Sequence, residues 1–216
     1  MNDAAALMDR MYRRQRHIYD ATRKFYLLGR DATIAELAAP AGGGILEIGC
    51  GTGRNLVKIA RRYPEADVFG LDVSSEMLVS ARASIERAGL APRIRVALAD
   101  ATNFDAATLF GRPNFERVVI SYALSMIPPW REALAQAVEA LAPGGALHIV
   151  DFGDQAGLPA AFRAGLVRWL AAFDVTPRTT LRAELAAVAG SRGLRWAARD
   201  HMRGYAIRAV VERPAA

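Results

Sequence analysis

The sequence predicts an α/β fold: a doubly wound, mostly parallel seven-stranded sheet preceded by an N-terminal helical lid. Three observations lead there. Short, nearly continuous apolar runs recur at Ile45–Ile48, Val68–Leu71, Ile94–Leu98, Val118–Ile120 and Ala146–Val150. Runs of that length without alternation suit strands covered on both faces, the situation of a parallel sheet between helical layers. Helical segments separate these runs, and near the end Leu194–Arg199 and Tyr205–Glu212 read as two further strands joined by a turn around Arg203-Gly204.

The elements between the runs carry their own local signals. In Ser74–Ala88, Ser74 is a capping residue and Glu76 sits in the electropositive first turn. Leu78, Ala81, Ile85 and Ala88 share one helical face, and Gly89 is placed to end the helix. Pro128 and Pro129 precede a helix expected to run to about Leu141, after which Pro143-Gly144-Gly145 is expected to turn the chain into the next strand. A helix between Gly157 and Phe173 carries Leu158, Phe162, Leu166, Trp169, Leu170 and Phe173. Core packing is its expected role, with acyl-chain or membrane contact as the other reading.

At 216 residues the chain suits a single core, without a linker or a repeat of solenoid period. Residues 1–40 are read as the lid, 41–153 as the ligand-binding core, and 154–216 as a helical insertion followed by the terminal antiparallel strands. A composition of 52% apolar and 23% charged residues is that of a globular domain. No apolar run reaches the length of a membrane span, and Asp3 and Asp9 break the order of a signal peptide. A cytoplasmic location is therefore expected. One cysteine, Cys50, and three scattered histidines argue against disulfides and metal sites.

Function is written most clearly in Ile45-Leu46-Glu47-Ile48-Gly49-Cys50-Gly51-Thr52-Gly53, a strand running into a loop with glycine at every second position. Such a loop lets a ligand lie against bare backbone beyond the carboxyl end of a strand. The dinucleotide fingerprint would need its third glycine where Arg54 stands, and Glu47 would repel a pyrophosphate. A ligand carrying positive charge fits better. The ammonium and sulfonium groups of S-adenosylmethionine meet that description.

An acidic residue followed by alternating glycines resembles the first motif of the class I S-adenosylmethionine-dependent methyltransferases, a family with a Rossmann-like fold. The resemblance covers residues 45–152. It implies that Glu47, Gly49, Cys50, Gly51 and Gly53 cradle the cofactor and that Asp72, ending the second strand, takes the ribose hydroxyls. It further implies that Asp100 and Ala101 meet the adenine, with Val73 and Met77 as apolar contacts. Taken singly, an aspartate after a strand is more commonly a turn residue. Nucleic-acid substrates lose support, because Ser121-Tyr122-Ala123-Leu124 lacks the Asp/Asn-Pro-Pro-aromatic signature of adenine methylation and no cysteine stands where cytosine methylation needs a nucleophile.

The N-terminal stretch narrows the substrate class. Residues 1–31 hold seven basic and four acidic side chains, interleaved with Tyr12, Tyr19, Phe25 and Tyr26. A basic amphipathic helix of this kind suits an anionic membrane surface, although a solvated helix docked on the domain is the plainer reading. The string Tyr-Asp-x-Thr-Arg-x-Phe-Tyr-Leu-Leu-Gly-Arg-Asp at Tyr19–Asp31 resembles the N-terminal motif of bacterial betaine-lipid methyltransferases, which trimethylate diacylglycerylhomoserine. A looser form occurs in bacterial phosphatidylethanolamine N-methyltransferases. The likeness implies a lipid-headgroup substrate, peripheral membrane association, and Tyr19, Arg30 and Ser121 among the cofactor contacts. Candidate proton acceptors or positioning groups are Tyr122, Asp151, His17 and Tyr205. Arg30 suits a carboxylate of cofactor or substrate, and Tyr19, Tyr122 and Tyr205 suit a growing ammonium. A soluble small-molecule methyltransferase and a non-catalytic cofactor-binding protein stand as alternatives.

Overall fold

The computed structural model describes residues 27–215, so His17, Tyr19 and most of the expected lid lie outside the described residues. Of the lid region, residues 27–40 are described, and they hold one short helix, α1 (Arg30–Ala35). The rest alternates as expected: β1 (Gly44–Ile48), α2 (Arg54–Arg62), β2 (Asp67–Asp72), α3 (Ser75–Arg87), β3 (Ile94–Leu98), α4 (Ala106–Phe110), β4 (Phe115–Ser121), α5 (Trp130–Glu139) and β5 (Leu141–Phe152). The chain then forms α6 (Ala160–Ala171), α7 (Leu181–Arg192), β6 (Arg195–His201) and β7 (Ala206–Glu212).

One seven-stranded sheet runs in the order β3-β2-β1-β4-β5-β7-β6. The first five strands pair in parallel, and β7 is antiparallel to both β5 and β6. The order reverses between β1 and β4, so the crevice beyond their carboxyl ends is the ligand position of such a sheet.

Strand alternation sorts the side chains to the two faces. Leu46 and Ile48 of β1, Phe69 and Leu71 of β2, and Val118 and Ile120 of β4 join one buried cluster with Trp130 and Leu134 of α5. Ile45, Val68 and Val119 face the other way, onto Leu56 and Ile59 of α2 and Leu78 and Ile85 of α3. Each fully buried side chain of this size stabilises the fold by roughly 1.5–3 kcal/mol. Glu47 falls on the Ile45 face, in register between Gly70 and Val119, so alternation itself puts a carboxylate into an apolar layer.

Ser74 caps α3 by accepting from Met77 N at 3.3 Å, and Gly89 follows the helix at φ 68°. Two features differ from expectation. Pro143-Gly144-Gly145 is drawn into β5 as an irregularity, with Gly144 at φ 72°, because Gly144 and Gly145 bond the carboxyl-terminal segment at Pro214 and Arg213. The 157–173 helix packs on the core through Leu170, with Leu158, Leu166 and Phe173 against the same cluster, but its other face, with Phe162 and Trp169, stays exposed. The short α4, capped by Asp105, and α7, ended by Gly193 at φ 64°, are additions to the sequence reading.

Candidate functional site

The glycine loop begins where β1 ends. Gly49 N and Cys50 N both donate to Leu71 O, at 2.9 and 3.0 Å, which folds the loop across the end of β2. Gly49, Gly51 and Gly53 all have positive φ, at 71°, 53° and 76°. At Gly49 a Cβ would also stand 2.7 Å from Ala123 Cβ, so this position admits glycine for two independent reasons. Gly53 serves differently, as the residue preceding α2, where a Cβ would press on Ala81 of α3 at 3.2 Å.

Asp72 ties this loop to the next one. Its Oδ2 accepts from Gly51 N at 2.8 Å and its Oδ1 from Ser74 N at 3.0 Å. A carboxylate has about four acceptor positions, which suits it to the two hydroxyls of a ribose. Asp100 accepts at Oδ1 from Thr102 N and Thr102 Oγ1, at 2.9 and 2.7 Å, which is the turn-forming behaviour of an aspartate after a strand.

Glu47 is the group most out of keeping with its surroundings. It is 1% exposed, Asn55 of α2 donates to its Oε1 at 2.7 Å, and its Oε2 has no partner among the described residues. Burial pushes its carboxyl up to about 8, and the Asn55 amide offsets only part of that. A buried carboxylate with a spare oxygen, beside a bare-backbone loop, is suited to a cation supplied from outside.

These groups surround a cavity of about 890 Å³, a size suited to a nucleoside-bearing ligand. Its described lining includes Arg30, Glu47, Gly49, Cys50, Gly51, Asp72, Val73, Asp100, Ala101, Ser121 and Tyr122, the sequence candidates that the fold brings together. Four candidates fall outside that lining. Gly53 has the helix role given above, and Met77 is buried against Met126 and Phe173. Asp151 is fully buried beneath the β4 end, accepting from Ser125 N at 3.1 Å and Phe152 N at 2.8 Å, with its carboxyl pushed up to about 6 by burial. Tyr205 is buried with its ring 6.0 Å from that of Phe152, and its hydroxyl is pushed up to about 12 by burial.

Tyr122 lines the cavity, but its hydroxyl donates to Leu28 O at 2.6 Å and burial drives its pKa up, so it does not serve as a base. Tyr122→Phe is accordingly expected to lose about 1 kcal/mol of stability while keeping the pH profile of turnover. The thiol of Cys50 is buried and likewise pushed up, which makes it unreactive in this loop. Sequence reasoning missed Asn55, whose contact with Glu47 depends on the path of the loop. It also left unassigned Leu27, Met126, Ile127, Pro128 and Pro129, which form an apolar side of the lining.

This fold, with an acid, a glycine loop and an aspartate at successive strand ends, defines the class of S-adenosylmethionine-binding α/β domains. Residues 45–145 match the family described as Methyltransferase domain. The chain is 31% identical over 123 residues to a ubiquinone/menaquinone biosynthesis C-methyltransferase UbiE of Dinoroseobacter shibae, covering 57% of this chain and 48% of that protein. It is 33% identical over 129 residues to a phosphatidylethanolamine N-methyltransferase of Cereibacter sphaeroides, covering 59% and 60%. The chain therefore spans about half the length of these curated relatives. Among solved structures, the plantazolicin methyltransferase BpumL in complex with SAH has a TM-score of 0.72 at 15% identity, over 98% of this chain and 95% of that one.

If Asp72 holds both the Gly51 amide and the ribose, Asp72→Ala weakens cofactor binding by about 1.5–3 kcal/mol, the range for hydrogen bonds to a charged acceptor. Titration calorimetry on the folded variant measures this directly. Unchanged affinity would remove Asp72 from the binding site.

Proposed function

We propose that the chain is an N-methyltransferase acting on the amine of a lipid headgroup, with trimethylation of diacylglycerylhomoserine to its betaine as the particular reaction. The observation that carries this reading is the placement of the N-terminal motif. Its last residues include Leu27 and Arg30, and both contribute to the cavity lining. The likeness to a phosphatidylethanolamine N-methyltransferase supports the same substrate class and makes that phospholipid the second reading.

The cofactor supplies an electrophilic methyl group on a sulfonium. Glu47, Gly49, Gly51 and Asp72 would hold and orient it, with the spare oxygen of Glu47 as the acceptor for its ammonium. Arg30, 8% exposed and donating from Nε to Leu27 O at 3.1 Å, presents a guanidinium suited to a carboxylate of cofactor or homoserine. The acceptor amine enters along the side formed by Leu27, Tyr122, Met126 and Ile127. An apolar and aromatic wall tolerates a nitrogen that gains methyl groups, because attraction of a cation to a ring needs no N–H donor. With the Tyr122 hydroxyl engaged on Leu28 O, the amine is taken up as its free base and the chain contributes alignment and exclusion of water. Turnover at saturating cofactor therefore rises with pH until the amine is neutral.

The test is incubation with methyl-labelled S-adenosylmethionine and, in separate reactions, diacylglycerylhomoserine, phosphatidylethanolamine or soluble ethanolamine. Mass analysis is expected to show gains of one, two and three methyl groups on diacylglycerylhomoserine. Label on phosphatidylethanolamine alone selects the second reading. Label confined to soluble acceptors overturns the lipid assignment, and no transfer to any acceptor leaves a cofactor-binding protein without turnover.

A further inference from the structure

Helix α6 has the composition of a buried element in an exposed position. Over the 18 residues 156–173, from Ala156 to Phe173, the chain has no acidic residue, and its charges are Arg163 and Arg168. Within α6 only Leu170 is buried, while Phe162, Val167 and Trp169 are 56%, 47% and 36% exposed. The rest of its exposed surface is mostly alanine and glycine. A helix that is apolar nearly all round is ordinarily enclosed by protein or by lipid. Here the domain encloses one side of it.

We infer that α6 is a membrane-docking helix that seats the domain on an anionic bilayer, with Phe162 and Trp169, two turns apart on one face, entering the interface and Arg163 and Arg168, on either side of that face, reaching the phosphates. Three observations favour a bilayer over a protein partner. The charge is of one sign and complements anionic lipid, with no carboxylate in the segment to oppose it. Arginine stems can lie along apolar surface while their heads stay at the phosphate level, and tryptophan settles at the same depth. The third observation is continuity with the site. Phe173, just past α6, has its ring 5.0 Å from that of Trp169 and packs on Met126, which lines the cavity. Docking through α6 therefore places the apolar side of the cavity next to the headgroup layer.

The inference deepens the lipid reading of the site, yet it can fail separately from it. Trp130 is buried, so replacing Trp196, the other exposed tryptophan, with phenylalanine leaves Trp169 as the reporter that lipid can reach. With vesicles of equimolar phosphatidylcholine and phosphatidylglycerol, Trp169 emission is expected to shift to the blue and to be quenched by brominated acyl chains. The double substitution Phe162→Glu and Gly165→Glu alters only exposed positions of that face, so cofactor affinity should be unchanged while vesicle partitioning falls at least tenfold. Arg163→Glu with Arg168→Glu should give a similar loss that is largest at low salt.

Vesicle binding unaffected by both double variants would overturn the inference, as would an absence of binding at low salt. A change of oligomeric state in the α6 variants without loss of vesicle binding would make this face a contact between copies and overturn it too. If α6 is required for vesicle binding but no lipid is methylated, docking stands and the lipid-substrate reading falls. If lipid dispersed in detergent is methylated while vesicles are never bound, the substrate reading stands and docking falls.

Discussion

Glu47→Gln is expected to make the free protein more stable and the cofactor complex weaker. In the folded chain burial disfavours the charge and pushes the Glu47 carboxyl from its ordinary 4.5 up to about 8. A group whose pKa is raised by folding contributes stability that is fully present below its unfolded value and lost as pH rises through the folded one. The wild-type melting temperature should therefore fall between about pH 5 and pH 8, and the glutamine variant should lack that fall. One pKa unit corresponds to about 1.4 kcal/mol. Even if relaxation removes part of the shift, the variant should gain about 2–3 kcal/mol at pH 8, or roughly 5–10 °C for a domain of this size. Glutamine keeps an oxygen for Asn55, so the fold has little reason to change.

Binding should respond in the opposite direction. A cationic cofactor needs Glu47 ionised, so wild-type affinity should increase with pH up to about 8 and protons should be released on binding below that value. The glutamine variant should show a flat profile and a loss of about ten- to a hundredfold at pH 8, the range for a hydrogen bond to a charged acceptor. Calorimetry in buffers of different ionisation enthalpy measures the released protons. A wild-type melting temperature independent of pH, together with unchanged affinity in the variant, would place Glu47 outside the binding machinery.

The same residue shows what was legible in the sequence. That Glu47 sits near the end of a buried strand and precedes alternating glycines could be read directly, since both signals are local. Its burial as a charged group follows from the period-two alternation that puts it beside Ile45. The partner Asn55 was not legible, because it meets Glu47 only once the loop has turned over the end of β2. Asp151 and Tyr205 were drawn into the candidate set by their position near strand ends, where direction decides between cavity and interior. Asp151 turns inward to clamp the β4 loop, and Tyr205 packs on Phe152. For α6 the apolar spacing was visible, but spacing cannot say whether protein covers the face. Neighbours far away in sequence decide that.

Gly49→Ala is expected to be the most damaging single-methyl change in the site, and the two causes of that damage can be separated. The backbone here is at φ 71°, a conformation that costs a residue with a Cβ about 1–2 kcal/mol. The new methyl would also lie 2.7 Å from Ala123 Cβ, and forcing extra volume into a packed position costs typically ~1–3 kcal/mol. The sum should lower the melting temperature by about 5–15 °C and move the loop amides away from Leu71 O, so that cofactor binding becomes too weak to measure by calorimetry. Ala123→Gly removes the second cause without touching the first. In the double variant about half of the lost stability should return, while the backbone term persists, giving a coupling energy of about 1–3 kcal/mol between two sites in direct contact. Additive losses would mean that the two positions do not press on each other. Full recovery of both stability and binding would mean that positive φ is dispensable at Gly49, and the loop would then be held open by space alone.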